Sequence, residues 1–211
     1  MKKQLLYYTD NTLENTKLCL EVRNILNNIN LPIISISHRP INFGENYIYK
    51  GKRGIQAILE QIWMGLLKST ADMVYFVEHD CLYHSSHFEL ISEILAYDDN
   101  WYRCSERGFF TYNTFYSRLL STCFGPRIKL IEGIASKLAY LYKHNTLKFF
   151  EPGLGTETRF IDYKRMKAKC PMICVRHNKN FGIKDINHLG TPNNPTWGNY
   201  KKLREKLGLD L

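Results

Sequence analysis

Five apolar residues in unbroken succession, Met73-Val74-Tyr75-Phe76-Val77, run straight into Glu78-His79-Asp80. Such a run, with no polar alternation, marks a strand covered on both faces, which is the setting of parallel sheets flanked by helices. The residues before it agree. Leu5 to Thr9 is a short apolar run closing in Thr-Asp-Asn, a strand followed by a turn. Residues 12–29 carry Leu13, Leu18, Leu20, Val22, Ile25, Leu26 and Ile29 with polar residues between them, a helical pattern that Pro32 ends. Ile33 to Ser37 reads as a second strand, and a polar, Gly-containing stretch then leads to Arg53. Gly54 to Lys68 is a second amphipathic helix, with Ile55, Ile58, Leu59, Ile62, Trp63, Leu66 and Leu67 expected on its buried side. The order strand–helix–strand–helix–strand predicts an α/β fold, a mostly parallel sheet flanked by helices, with residues 1–211 as one domain. Ligands of such sheets bind at the carboxyl ends of the strands. Here those ends are Thr9-Asp10-Asn11, Ser37-His38-Arg39 and Glu78-His79-Asp80.

The second half is less regular. Ser86 stands three residues before Glu89 and reads as the capped start of a helix. Residues 101–112 are aromatic and strand-like, Arg127 to Lys143 is helical, and a further helix is expected from near Glu157. Pro171 to Arg176 reads as a buried strand ending at His177, and Trp197 to Leu207 as a basic helix. Charge separates the halves. The chain carries +9 with His neutral, but residues 1–99 hold 9 basic against 12 acidic side chains and residues 100–211 hold 20 against 8. The excess of positive charge therefore lies wholly in the second half, which suits a polyanionic partner or a phosphate-bearing ligand there. The basic opening Met1-Lys2-Lys3 is followed by an apolar stretch too short for a signal peptide, and no run approaches the roughly 18 apolar residues of a membrane span. A cytoplasmic protein with reduced thiols at Cys19, Cys81, Cys104, Cys123, Cys170 and Cys174 is expected.

Several groupings carry chemistry. Glu78 and Asp80 form an acid-x-acid pair at a strand end, which suits a hard divalent cation bridging phosphate oxygens. His177 ends the last buried strand, and its imidazole completes a cation site with Asp80 if the two strand ends converge. Asn178, Lys179 and Asn180 follow as donors for a diphosphate. Lys50-Gly51-Lys52-Arg53-Gly54 lies directly before a helix, a setting for phosphate, although the spacing is not that of a Walker loop. Glu151 and Glu157 flank Pro152-Gly153-Leu154-Gly155-Thr156, where a Gly-rich turn lets a carboxylate approach a hydroxyl as its base. Cys170-x-x-x-Cys174-x-x-His177 has the elements of a zinc site, but Cys174 falls in an apolar run and no fourth ligand is suitably spaced. His79, Cys81, His84 and His87 read together as a polar rim.

These residues resemble the GT-A fold (Rossmann-like) glycosyltransferases, in the family-2-like group that uses nucleotide sugars. Gly54 to Ile58 followed by Ala71 to Asp80 is similar to their helix and strand leading into the DxD motif, with Asp80 on the metal-binding second acid and Glu78 in place of the first. Gly155-Thr156-Glu157-Thr158-Arg159-Phe160 is similar to the segment that supplies the base in inverting members, with Thr158 where an Asp is usual. His177 matches a late metal-ligating His. The resemblance spans residues 4–88 and, more thinly, 148–180, and the short chain looks like compact phage glycosyltransferases, some of which modify hydroxymethylated pyrimidines in DNA. It implies a UDP-sugar donor and a Mn²⁺ or Mg²⁺ held by Asp80 and His177. It also implies Tyr8, Thr9, Asp10 and Arg39 at the nucleoside end, Arg53, Glu78, His79 and Asn178 against the donor, and Glu151 or Glu157 as base. The basic half would face a nucleic-acid acceptor, with Trp101, Tyr102, Phe109, Phe110 and Tyr112 available to stack on a sugar or a flipped base.

Two other readings compete. A sugar nucleotidyltransferase needs a Gly-rich loop after the first strand, and Tyr8-Thr9-Asp10-Asn11 contains no Gly. A non-catalytic basic nucleic-acid-binding module accounts for the charge but not for the acid-x-acid pair at a strand end.

Overall fold

The computed structural model describes residues 1–111, 118–158, 161–178 and 189–209. The first half follows the expected order: β1 (Lys3–Thr9), α1 (Lys17–Asn28), β2 (Ile33–Ser37), β3 (Glu45–Ile48), α2 (Ile55–Lys68) and β4 (Met73–Glu78). Next come β5 (Cys81–Leu82), β6 (Leu95–Asp98), β7 (Trp101–Ser105), β8 (Gly108–Phe110), β9 (Cys123–Pro126) and α3 (Arg127–His144). The described chain closes with β10 (Tyr163–Met166), β11 (Met172–Val175), a two-strand ribbon of β12 (Asn193–Asn194) and β13 (Gly198–Asn199), and α4 (Tyr200–Lys206). The main sheet has the order β10-β6-β9-β4-β1-β2-β3, and only β9 runs against the other strands. A second sheet, β5-β11-β7-β8, joins the two-residue β5 to short strands of the second half.

The period of two along the central strands sorts their side chains into two cores. Leu6 and Tyr8 of β1 and Val74 and Phe76 of β4 pack against Leu59, Ile62 and Leu66 of α2 and Leu130, Ile134 and Leu138 of α3. Leu5, Tyr7, Tyr75 and Val77 point the other way, to Leu18, Val22 and Leu26 of α1 and to the second sheet through Trp101, Cys104 and Ile173. Gly65 lets α2 lie directly on β1, since a Cβ there would come within 2.1 Å of Leu6 Cδ1. No described helix is long and apolar enough to cross a membrane.

Four expectations need correction. The stretch before Arg53 contains the edge strand β3, whose polar, half-exposed Glu45-Asn46-Tyr47-Ile48 has no apolar signature. Asn46 of that strand is tied to β2 by bonds from Nδ2 to the Ser35 and Ser37 hydroxyls, both 2.9 Å. The first helix begins only at Lys17, where Thr16 caps it by accepting from the Cys19 N–H. Ile55 and Leu67 lie on the exposed side of α2. The segments near Glu89 and Glu157 form single turns of 3-10 helix, Ser85–Glu89 and Thr156–Thr158, in place of α-helices.

Candidate active site

The carboxyl ends of β1, β2 and β4 open into a cavity of about 290 Å³ whose far wall comes from β7, β11 and the segment around Glu151. Tyr8, Thr9, Asp10, Glu78, His79, Asp80, Glu151 and His177 all line it. The strand ends carrying Asp80 and His177 do converge. Val175 N donates to Asp80 O at 2.9 Å, and His177 Nε2 lies 3.3 Å from Asp80 Oδ2. His79, Asp80 and His177 each offer a ligand atom within 4.8 Å of the others, a donor set of two imidazoles and one carboxylate that fits a divalent cation. Thr9 Oγ1, 2.8 Å from His79 Nδ1, fixes the orientation of that ring. Burial lowers the His79 pKa and so favours the neutral imidazole that a metal requires.

Glu78 sits beside this set, held at two points. The Tyr8 hydroxyl donates to its Oε1 at 2.5 Å, and its own N–H donates to the Tyr83 hydroxyl at 3.0 Å. Burial, and then the neighbouring Asp80 charge, push the Glu78 carboxyl up to about 8. Asp10 behaves in the opposite sense. Burial pushes it up, but the Thr12 hydroxyl and N–H, at 2.7 and 2.9 Å from Oδ1, outweigh that and hold it below the usual carboxylate range. Gln61 of α2, fully enclosed, donates to Thr9 O at 3.0 Å and braces the end of β1.

The two Gly-flanking acids separate. Glu151 lines the cavity, and burial raises its carboxyl above the ordinary range. Glu157 does not line it; its Oε1 lies 3.0 Å from Nζ of Lys137, whose side chain is fully buried. Arg39, Arg53 and Asn178 are exposed and lie off the cavity wall, although Arg53 is close enough for its charge to lower the pKa of both Asp10 and His38. Gly54, which opens α2 without a side-chain cap, does reach the cavity.

The aromatic residues offered for stacking are placed elsewhere. Trp101, Phe109 and Phe110 are buried, Tyr102 packs against the same core, and none of the four lines the cavity. Alternation on a short two-sided sheet put them inside. His87 likewise leaves the supposed rim: it is wholly enclosed, with Nδ1 2.9 Å from Asp98 Oδ2, whereas Cys81, though buried, lines the cavity and faces Cys174 across paired strands. Tyr112, Arg159, Phe160, Lys179 and Asn180 lie outside the described residues.

Sequence reasoning missed Thr12, Gln61, Arg103, Cys174 and Arg176 as cavity-lining residues. Gln61 alone left a signal, a polar residue among Ile58, Leu59 and Ile62 on the inner face of α2. The arginines come from β7 and the end of β11, and nothing in their local sequence marks a cavity wall.

The sequence matches no protein-family model and no curated protein. The fold does find counterparts. A glycosyltransferase involved in the glycosylation of the major capsid of PBCV-1 is similar with a TM-score of 0.56 at 7% identity, over 82% of this chain and 92% of that one. Residues 1–349 of S. aureus TarS, in complex with UDP-GlcNAc, are similar with a TM-score of 0.51 at 11% identity, over 85% of this chain and 60% of that one. In its mostly parallel sheet and flanking helices, the chain has the compact GT-A-like fold of these glycosyltransferases.

Proposed function

We propose that this chain is a divalent-cation-dependent glycosyltransferase that moves a sugar from a UDP-sugar to a hydroxyl on a polyanionic acceptor, with DNA bearing hydroxymethylated pyrimidine as the acceptor to test first. One observation carries the reading: a carboxylate and two imidazoles converge at the strand ends, and a second, separate carboxylate, Glu151, lines the same cavity. His79, Asp80 and His177 hold Mn²⁺ or Mg²⁺ in this reading. When bound, that cation neutralises charge building on the leaving nucleoside diphosphate. Tyr8, Thr9 and Asp10 bind the nucleoside end, with Arg39 and Arg53 approaching from the exposed side. Glu78, anchored by Tyr8, sits under the donor. Glu151 accepts the proton of the acceptor hydroxyl, and its raised pKa makes it a stronger base than an ordinary carboxylate. Glu157 is the weaker candidate for that role because its carboxylate is engaged by Lys137. The UDP-GlcNAc held by TarS supports a UDP-sugar as the donor. The basic second half, which contributes Arg103 and Arg176 to the cavity wall, supports an anionic acceptor.

The test is turnover of a panel of UDP- and GDP-sugars with Mn²⁺, offered with unmodified and hydroxymethylated DNA and read as mass added to the nucleoside. Asp80→Asn is expected to abolish transfer while the melting temperature stays within a few degrees. Glu151→Gln is expected to lower kcat by about 10²- to 10⁴-fold and to leave UDP binding intact. Full activity in Asp80→Asn would sink the assignment.

A further inference from the structure

Two thiols stand at the cavity wall, and the proposed reaction gives them no part. Cys81 opens β5 and lies directly opposite Cys174 of β11 in antiparallel register, with the two Sγ atoms 3.2 Å apart. Cys81 Sγ is 3.7 Å from Asp80 Oδ1 and 4.0 Å from Glu78 Oε2. The other Asp80 oxygen, Oδ2, is the one beside His177 Nε2. A single carboxylate therefore has imidazole on one oxygen and thiol on the other.

The spacing suits an ion. Metal–sulfur bonds of about 2.3 Å and metal–oxygen bonds of about 2.0–2.2 Å give a tetrahedral site with ligand–ligand edges of about 3.4–3.8 Å. The distances around Cys81 straddle that range, so a small opening of the two strands accommodates the sulfur pair. Donor chemistry separates the two sets. Thiolates select soft or borderline ions, whereas the set of one carboxylate and two imidazoles offers no sulfur and gives such ions no comparable advantage.

We propose that Cys81, Cys174, Asp80 and Glu78 form a second cation site for a thiophilic divalent ion of the Zn²⁺ or Cd²⁺ class, and that its claim on Asp80 makes it mutually exclusive with the cation held by His79, Asp80 and His177. Binding exchanges the two thiol protons, and the Glu78 proton where that carboxyl carries one, for one M²⁺ with no change of oxidation state, so no oxidant is involved. The site lies on the cavity wall, open to the ion by the same route as a substrate.

The experiment titrates the reduced full chain with Cd²⁺ and reads the ultraviolet thiolate-to-cadmium charge-transfer band. One ion per chain is expected. The band should vanish in Cys81→Ser and in Cys174→Ser and persist in Cys170→Ser, which alters a thiol outside the set. Added Mn²⁺ should raise the apparent Cd²⁺ Kd in proportion to its concentration. In the unsubstituted chain, where folding is not in question, Cd²⁺ should protect Cys174, the partly exposed thiol of the pair, from iodoacetamide, read by peptide mass. A missing band, a band surviving both serine substitutions, unchanged alkylation, or a Kd indifferent to Mn²⁺ overturns the proposal. None of these readouts requires sugar transfer; the Mn²⁺ competition rests on the cation site of the proposed reaction, whereas the band and the alkylation do not, so failure of the two readings is distinguishable.

Discussion

Glu78 shows how a single side chain sets the pH behaviour of the cavity. Its pKa rises from 4.5 to about 8 because burial and Asp80 both disfavour a second negative charge. A carboxyl whose folded pKa is raised contributes stability that is fully present below its unfolded pKa and is lost as pH rises through the folded value. The Glu151 shift has the same sign. Relative to Glu78→Gln, the metal-free chain should therefore lose melting temperature from about pH 5 to about 8, while the lowered pKa values of His79 and His38 act in the opposite sense below about pH 6.5 in both chains. Mn²⁺ should restore progressively more of it over that window, because the cation replaces the proton. Melting curves of the unsubstituted chain and Glu78→Gln, with EDTA and with Mn²⁺, measure these slopes, and a metal-free pH slope that Glu78→Gln leaves unchanged is incompatible with a protonated Glu78. The exchange of Asp for Glu in the acid-x-acid pair is visible in the sequence. The burial that makes it titrate late, against which the hydrogen bond from Tyr8, 70 positions away, works, depends on how distant segments pack and is not.

At the scale of elements, α3 determines where the Glu151 segment lies. Lys137, buried in the helix, donates to Phe149 O at 3.0 Å, to Leu154 O, and to Glu157 Oε1 at 3.0 Å. Burial lowers its pKa while Glu157 opposes the shift. Lys137→Met removes the cation beside a buried carboxylate and should cost about 3–5 kcal/mol in urea unfolding. The double variant with Glu157→Gln should recover part of that loss, which a purely steric effect of Met would not allow. The first five elements with strong patterns were legible because Leu5–Thr9, Ile34–Ser37 and Met73–Val77 are fully buried and the helices between the strands have apolar stripes. The short β6, β9 and β10 were not, since four residues give two alternations at most and Tyr163–Met166 has a mostly exposed face. The cavity floor was readable for the same reason as β4, whereas its far wall depends on how a second sheet docks.

At the scale of the whole molecule, charge and cavity are linked. The acidic first half supplies Asp10, Glu78 and Asp80, and the basic second half supplies Arg103 and Arg176 to the same space. If DNA is the acceptor, its affinity should fall by roughly 10³-fold or more between about 50 and 200 mM salt, the loss that follows from releasing counterions at six or more phosphates. UDP binding, which the proposed function assigns mainly to the other half, should change far less, and a filter-binding and calorimetry pair at matched salt separates the two. The lone antiparallel strand has a further consequence, for the order of assembly. Residues 123–126 enter the sheet between β4 and β6, so the inner edge of β4 stays unsatisfied until a segment 45 residues downstream of Glu78 arrives. Every nascent chain shorter than that carries an apolar strand with an open hydrogen-bonding edge, the template on which another molecule pairs. During synthesis, β9 is the latch that closes the middle of the sheet to strangers.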